Sequence, residues 1–486
     1  MDILPDKKKF IRLAASSSRI PVLGEERIPD LDPFLLFQEL YKNSDQFFLL
    51  ESGKGPLETA QFSIFGDSHS RLLKVFGEKA SLYENGNLKS ELPEISQAFK
   101  MLNFEHSQMD YLPHFWGGWV GFVGYEAGAL FENLPLSSCK NNPDISFMEV
   151  EGLFVYDHNN KKLKFILSGN QKTKESDYED FVWEIKRVWK DVQRAIKKIR
   201  HGDPLTAERR KPFLPVPLEP IMQKEDYISK VDKAKEYISQ GDIYQANLSQ
   251  KFEATFNQDP FDLYQRLRKV NPSPFSGLLK FDDLTLVSSS PERLIKISGD
   301  KIESRPIAGT RPRSTNVEED KALTAELLLN DKERAEHLML VDLERNDLGR
   351  ICKVGTVEVT DFMFLEKYSH VSHIVSNISG SLLPNREVFD ILKAMFPGGT
   401  ITGCPKIRCM EIIHELEPVE RGPYSGSFGY IGYAPYLDLN IIIRSIVIHK
   451  GKASFHVGSG IVADSVPEKE YQETLDKAAA MVEALS

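Results

Sequence analysis

Apolar residues recur at three- and four-residue steps from Asp177 to Arg200, through Phe181, Val182, Ile185, Val188, Trp189, Val192 and Ile196, which predicts one long amphipathic helix. The same period returns from Glu225 to Gln240 with Tyr227, Ile228, Val231, Ala234 and Ile238, and stops at Gly241. Between them, Gly202 to Gln223 carries Pro204, Pro212, Pro215, Pro217 and Pro220 among charges and reads as an extended connection. Residues 284–307 alternate in short strand-like bursts broken by Pro291 and Ser298-Gly299-Asp300. Asp331 is a suitable N-cap for a helix through Arg345. Strand-like Leu439–His449 and Ala453–Val457 flank a Lys450-Gly451 turn, and a helix from Pro467 to Leu485 follows. Interleaved strands and helices predict an α/β or α+β fold. The connection divides it into two lobes, residues 1–200 and 224–486, joined by 201–223.

Composition narrows the class. The 486 residues hold 61 Lys and Arg against 71 Asp and Glu, a net charge of −10. An acidic balance without a clustered basic field argues against a nucleic-acid partner. No run of about 18 apolar residues is present, so no membrane span is predicted. Cys139, Cys352, Cys404 and Cys409 form neither a CxxC pair nor a metal-finger spacing, which fits a reduced, cytoplasmic enzyme.

Unusual residues concentrate after residue 284. The loop Pro397-Gly398-Gly399-Thr400-Ile401-Thr402-Gly403-Cys404-Pro405-Lys406 reads either as a backbone-amide cradle for an anion or as a tight turn, and its spacing is not that of a P-loop. Gly458-Ser459-Gly460 lets backbone approach a ligand or merely bends a strand. Arg444 lies in the apolar run Ile441–Ile446, where a guanidinium needs a carboxylate from a ligand or from the protein. Glu470 and Glu473 share a face of the last helix and Glu336 belongs to another. Together they would suit Mg²⁺, or be solvated charges. His370 and His373 are candidates for proton transfer or for plain hydrogen bonding. Neither a GxSxG elbow nor a cysteine in a Gly-rich elbow is present, which argues against acyl-enzyme chemistry.

Taken in order, these blocks resemble the chorismate-utilising enzymes, a family that includes anthranilate synthase component I, aminodeoxychorismate synthase component I, isochorismate synthase and salicylate synthase. The resemblance spans nearly the whole chain. It is densest in Ser290-Pro291-Glu292-Arg293, Arg305-Pro306-Ile307-Ala308-Gly309-Thr310-Arg311, Arg334-Ala335-Glu336-His337, Asp342-Leu343-Glu344-Arg345-Asn346-Asp347 and the 397–406 loop. It implies a large two-lobed mixed fold with sheets flanked by helices. It also implies Mg²⁺ held by Glu336 and Glu473 with Glu470 nearby, on the ring carboxylate of chorismate. Tyr424, Arg444, Gly458 and Gly460 would take the other carboxylate, with Gly309 and Thr402 in the substrate-binding set. Glu292 would be the general acid for loss of the C4 hydroxyl. His370 would assist a later loss of pyruvate, and Thr310 and Lys406 would lie near the substrate.

Within the family, the water-using members carry a lysine base where this chain has Gln245, so the resemblance implies ammonia as nucleophile and a glutamine amidotransferase as partner. Tyr244-Gln245-Ala246-Asn247-Leu248, Pro397-Gly398-Gly399-Thr400, Glu415-Leu416-Glu417-Pro418 and Val462-Ala463-Asp464-Ser465 resemble aminodeoxychorismate synthases. Ala308, where many of those carry a lysine, is usual in anthranilate synthases. Leu49-Leu50-Glu51-Ser52 with Asn271-Pro272-Ser273-Pro274-Phe275 resembles the tryptophan pocket of anthranilate synthases, or is ordinary core. The expectation is therefore the chorismate-binding subunit of an aminodeoxychorismate synthase. Anthranilate synthase component I and a non-catalytic chorismate- or tryptophan-binding paralogue are the alternatives.

Overall fold

Along the strand Gln46–Glu51 successive side chains pass to opposite faces, as the two-residue period of a strand requires. Phe47 and Leu49 join one apolar cluster and Phe48 joins another. The same split separates Val22 from Leu23, Leu72 from Leu73, and Val120 from Trp119. Strands apolar on both faces must be covered on both, and the chain does this with two sheets packed face to face and helices outside each. The computed structural model describes residues 1–52, 61–68, 70–136, 138–139, 142–169, 174, 176–201, 214–367 and 371–486.

Among the described residues a 13-stranded sheet and a 12-stranded sheet, both antiparallel in every pairing, make the middle layers. Helices Pro33–Tyr41, Asp177–His201, Pro260–Val270 and Pro467–Leu485 cover the larger sheet. Helices Ile95–Met101, Asp331–Gly349 and Val388–Met395 cover the other. The mixed class expected from the sequence is what the chain forms. Among the described residues, no helix is long and apolar enough to cross a membrane.

Both sheets run through both halves of the sequence. Gln46–Glu51 pairs with Phe275–Phe281, and Gly118–Val123 with Ser427–Gly432. The 201–223 connection is thus a division along the sequence whose two sides share each sheet. Most of it, 202–213, lies outside the described residues. Its end returns to the larger sheet, where Glu219–Pro220 pairs with Phe252 and Glu253.

Three local readings change. The helix expected from Asp331 begins there, but Asn330 caps it by accepting from the Glu333 amide at 3.1 Å, and the helix continues to Gly349. A proline closing a Gly-rich loop suits the first turn of a helix, whereas Pro405 stands at the N-cap of helix Lys406–Leu416. The expected strand Leu439–His449 is two strands, Tyr436–Ile441 and Ser445–His449. The break falls at Arg444, whose φ of +50° is left-handed and incompatible with a continuing strand.

Candidate functional site

At one end of the sandwich a cleft of about 500 Å³ opens between the two sheets. One wall is the antiparallel pair Gln245–Thr255 and Lys452–Ile461. Asn247 lies opposite Gly460 and Ser249 opposite Gly458. The glycines are forced by what they face. A Cβ at Gly460 would stand 2.5 Å from Gln245 Nε2, and one at Gly458 2.5 Å from Asn247 Oδ1 and 2.7 Å from the Tyr424 hydroxyl. The strand therefore presents bare backbone to the cleft, with those three polar groups beside it.

The opposite wall comes from the smaller sheet. Strand Ile307–Pro312 slips by one residue against Val371–Ser381 between Ala308 and Thr310. Gly309 occupies the bulge at φ +65°, where a side chain would strike Leu327 and Glu333. The bulge sets Ala308 and Thr310 both on the cleft, and the Thr310 hydroxyl lies 2.9 Å from His373 Nδ1. Burial, with the charge of Arg444, pushes His373 down to about 4, so it is a neutral imidazole.

Glu292 and Arg444 give the cleft its electrostatics. Glu292 is 7% exposed, and burial raises its carboxyl to about 7 against the opposing charge of Arg444. Burial likewise lowers Arg444, and Glu292 pulls it the other way. Among the described residues the Arg444 guanidinium makes no ion pair. A strained backbone position holding a desolvated, uncompensated cation in a cleft is an arrangement for capturing an anion.

The third side is acidic. Glu336 comes from helix Asp331–Gly349, Glu470 and Glu473 from helix Pro467–Leu485, and all three line the cleft. Gln245 Nε2 donates to Glu336 at 3.3 Å, and Glu336 is raised by burial and then by Glu333. Glu470 accepts from the Ser459 hydroxyl, and Glu473 pairs with Lys477 at 2.8 Å. Among the described residues no three metal-ligating side chains converge into a preformed cluster. The donor chemistry nonetheless fits a hard cation: three carboxylates on one cleft, one of them half-buried beside another acid.

The structure thus gathers Gln245, Glu292, Ala308, Gly309, Thr310, Glu336, Tyr424, Arg444, Gly458, Gly460, Glu470 and Glu473 around one cavity. Lys406 and Thr402 lie elsewhere. Lys406 Nζ binds Asp347 at 2.6 Å, about three turns beyond Glu336 along the same helix and outside the cleft, and the Thr402 hydroxyl donates to Gly398 O at 2.9 Å. The 397–406 loop is held by its own turn, by that ion pair and by pairing of Gly403 and Cys404 with the start of strand Gln245–Thr255, and of its residues Thr400 and Ile401 line the cleft. His370 lies outside the described residues. Glu51 is apart from the cleft, taking the Tyr264 hydroxyl at 2.8 Å and Arg268 at 3.4 Å. Leu50 and Phe275 belong to the strands Gln46–Glu51 and Phe275–Phe281 that pair there, Ser52 follows the first of them, and Asn271 and Pro272 lie between helix Pro260–Val270 and the second. His456 and Lys477 were not singled out from the sequence. His456 shares a strand face with Gly458 and Gly460 at two-residue spacing, and Lys477 is one helical turn beyond Glu473. Both signals were present and unspecific.

The model for chorismate binding enzymes matches residues 45–483. The chain belongs to the chorismate binding enzyme family. Anthranilate synthase component 1 of Acetivibrio thermocellus is 40% identical over 97% of this chain and 96% of that protein. Aminodeoxychorismate synthase component 1 of Bacillus subtilis (strain 168) is 39% identical over 93% and 95%. Among solved structures, anthranilate synthase component I from Streptococcus pneumoniae TIGR4 superposes with a TM-score of 0.74 at 34% identity, covering 94% of this chain and 99% of that one.

Proposed function

We propose that this chain is the chorismate-binding subunit of an aminodeoxychorismate synthase, replacing the C4 hydroxyl of chorismate with an amino group. Ammonia would come from a glutamine amidotransferase partner, and relatives named "component 1" agree with a second subunit. The observation carrying the reading is Gln245. Its amide sits in the cleft hydrogen-bonded to Glu336, where a water-activating base would be needed for hydroxylation, and an amide cannot take a proton at neutral pH. The blocks at 244–248, 397–400, 415–418 and 462–465 favour this member over its neighbour.

Arg444, with Tyr424 and the bare backbone of Gly458 and Gly460, would hold one carboxylate of the substrate. Glu292 would donate its proton to the departing C4 oxygen, sparing the expulsion of hydroxide. Glu336 and Glu473, with Glu470 adjacent, would hold Mg²⁺, which when bound supplies the positive charge that the acidic wall lacks for the other carboxylate.

Anthranilate synthase component I is the second reading, and Ala308 favours it. That buried methyl leaves Lys332 and Lys477 as the lysines on the cleft among the described residues, and Lys477 is engaged with Glu473 and Gly458 O. Incubating the chain with chorismate, Mg²⁺ and ammonium salt separates the two. 4-Aminobenzoate formed only with added aminodeoxychorismate lyase is the expected result. Fluorescent anthranilate without lyase would establish the second reading, and no amination at all would leave a binding protein.

A further inference from the structure

The strand face that floors the cleft does not end there. On Gln245–Thr255, the residues Gln245, Asn247, Ser249, Lys251 and Glu253 point the same way by the two-residue period, as do Ser454, His456, Gly458 and Gly460 opposite them. The first part of this face lines the cleft, and the far part, with Lys251, Glu253 and Ser454, lines a second cavity of about 290 Å³. From Lys251 to Gln245 the distance is about 20 Å at roughly 3.3 Å per residue. Two side chains, Tyr424 and His456, border both cavities. Their rings stack with centroids 5.1 Å apart at 12°, so a stacked pair of side chains stands between the two cavities.

Polar groups along this face are arranged for a small hydrogen-bond donor. Asn247 Oδ1 and Gln245 Oε1 are buried acceptors that take no hydrogen bond from the described residues, and the likewise unpartnered His456 Nε2 accepts in the tautomer whose Nδ1 donates to the Ser249 hydroxyl at 3.4 Å. They follow one another from the partition to the inner end of the cleft. Burial, followed by the charges of Lys251 and Arg421, keeps His456 neutral. Carboxylates, from Glu253 and Glu420, stand in the outer cavity, whereas the partition offers a neutral imidazole and a phenol beside Arg421. A cation would leave its hydration shell for neutral acceptors beside the positive charges of Lys251 and Arg421, whereas an uncharged donor of ammonia's size would find the same acceptors without that cost.

Resting on the amination reading above, we infer that the second cavity is the entrance for ammonia, which reaches the cleft past Tyr424 and His456 while chorismate occupies the other opening. Neutral ammonia, not ammonium, is the species passed. The amidotransferase would then deliver at the outer cavity rather than through the substrate's own mouth.

Ser454 and Glu253 line the outer cavity and not the cleft, so Ser454→Phe and, independently, the half-exposed Glu253→Trp should obstruct the route. Amination is followed with ammonium chloride as nitrogen source at saturating chorismate, each variant being checked for a wild-type circular dichroism spectrum. The expected result is an ammonia KM raised about ten-fold with the chorismate KM unchanged, and Ser454→Ala behaving as wild type. Either obstructing variant, folded and with an unchanged ammonia KM, overturns the route alone. Failure of the wild-type chain to aminate with ammonium overturns the function on which it rests, and the route falls with it.

Discussion

At Glu292 burial raises a carboxyl to about 7, and the acid role proposed for it depends on that shift. Replacing it with Gln should lower turnover by roughly 10²–10⁴-fold and leave chorismate binding nearly unchanged, since an amide fills the same space but has no acidic proton. Wild-type kcat/KM should fall as pH rises through about 7, and the variant should lack that limb. The same shift has a stability sign. The folded state holds this proton more tightly than the unfolded chain, so the contribution is full below the ordinary carboxyl range and is lost as pH rises towards about 7. Arg444 and the two glycines were legible in the sequence because their chemistry is odd for their setting, an arginine among isoleucines and glycines beside a strand, whereas Glu292 entered through the family resemblance alone. Lys406 was misplaced for the opposite reason. A lysine beside a Gly-rich loop looks the same whether it faces a ligand or, as here, a buried aspartate.

The acidic wall depends on how its helix starts. Asn330 ends helix Val317–Leu329 and caps Asp331–Gly349, and the first two turns of the second carry Glu333 and Glu336. Asn330→Ala should cost about 1 kcal/mol of stability, read as a lowered denaturant midpoint. Fraying those turns should also raise the Mg²⁺ concentration needed for half-maximal activity. Unchanged Mg²⁺ dependence would separate the cap from the metal site. Periodicity located this helix and the long ones at 177–201, 224–239 and 467–485, because each buries one stripe and exposes the rest. It did not reveal that the apolar run 439–449 is broken, since Ile442 and Ile443 suit a strand by composition. At the break Ile442 exchanges backbone hydrogen bonds with the distant Ser425-Gly426 segment and the Arg444 carbonyl accepts from Ser289, contacts no local pattern encodes.

At the scale of the molecule, strand order was the part the sequence withheld. Pairings such as Ser276 with Glu51 or Ser427 with Val123 join positions hundreds of residues apart, and no local period encodes them. They predict that residues 1–200 and 224–486, expressed separately, fail to fold alone but assemble when co-expressed into a complex with one cooperative unfolding transition. Two soluble fragments with independent transitions would show that each segment is a domain in its own right. The same pairings bear on how the chain is made. Strands Gln46–Glu51 and Gly118–Val123 leave the ribosome with apolar faces and unsatisfied edges, and their partners at 275–281 and 427–432 follow much later. At about 5–20 residues per second, the wait for the last of them is on the order of 15 to 60 s. Throughout that interval the nascent chain carries sheet edges open to any neighbour, so its yield in a cell should depend on chaperones and on the rate of translation as much as on the stability of the finished protein.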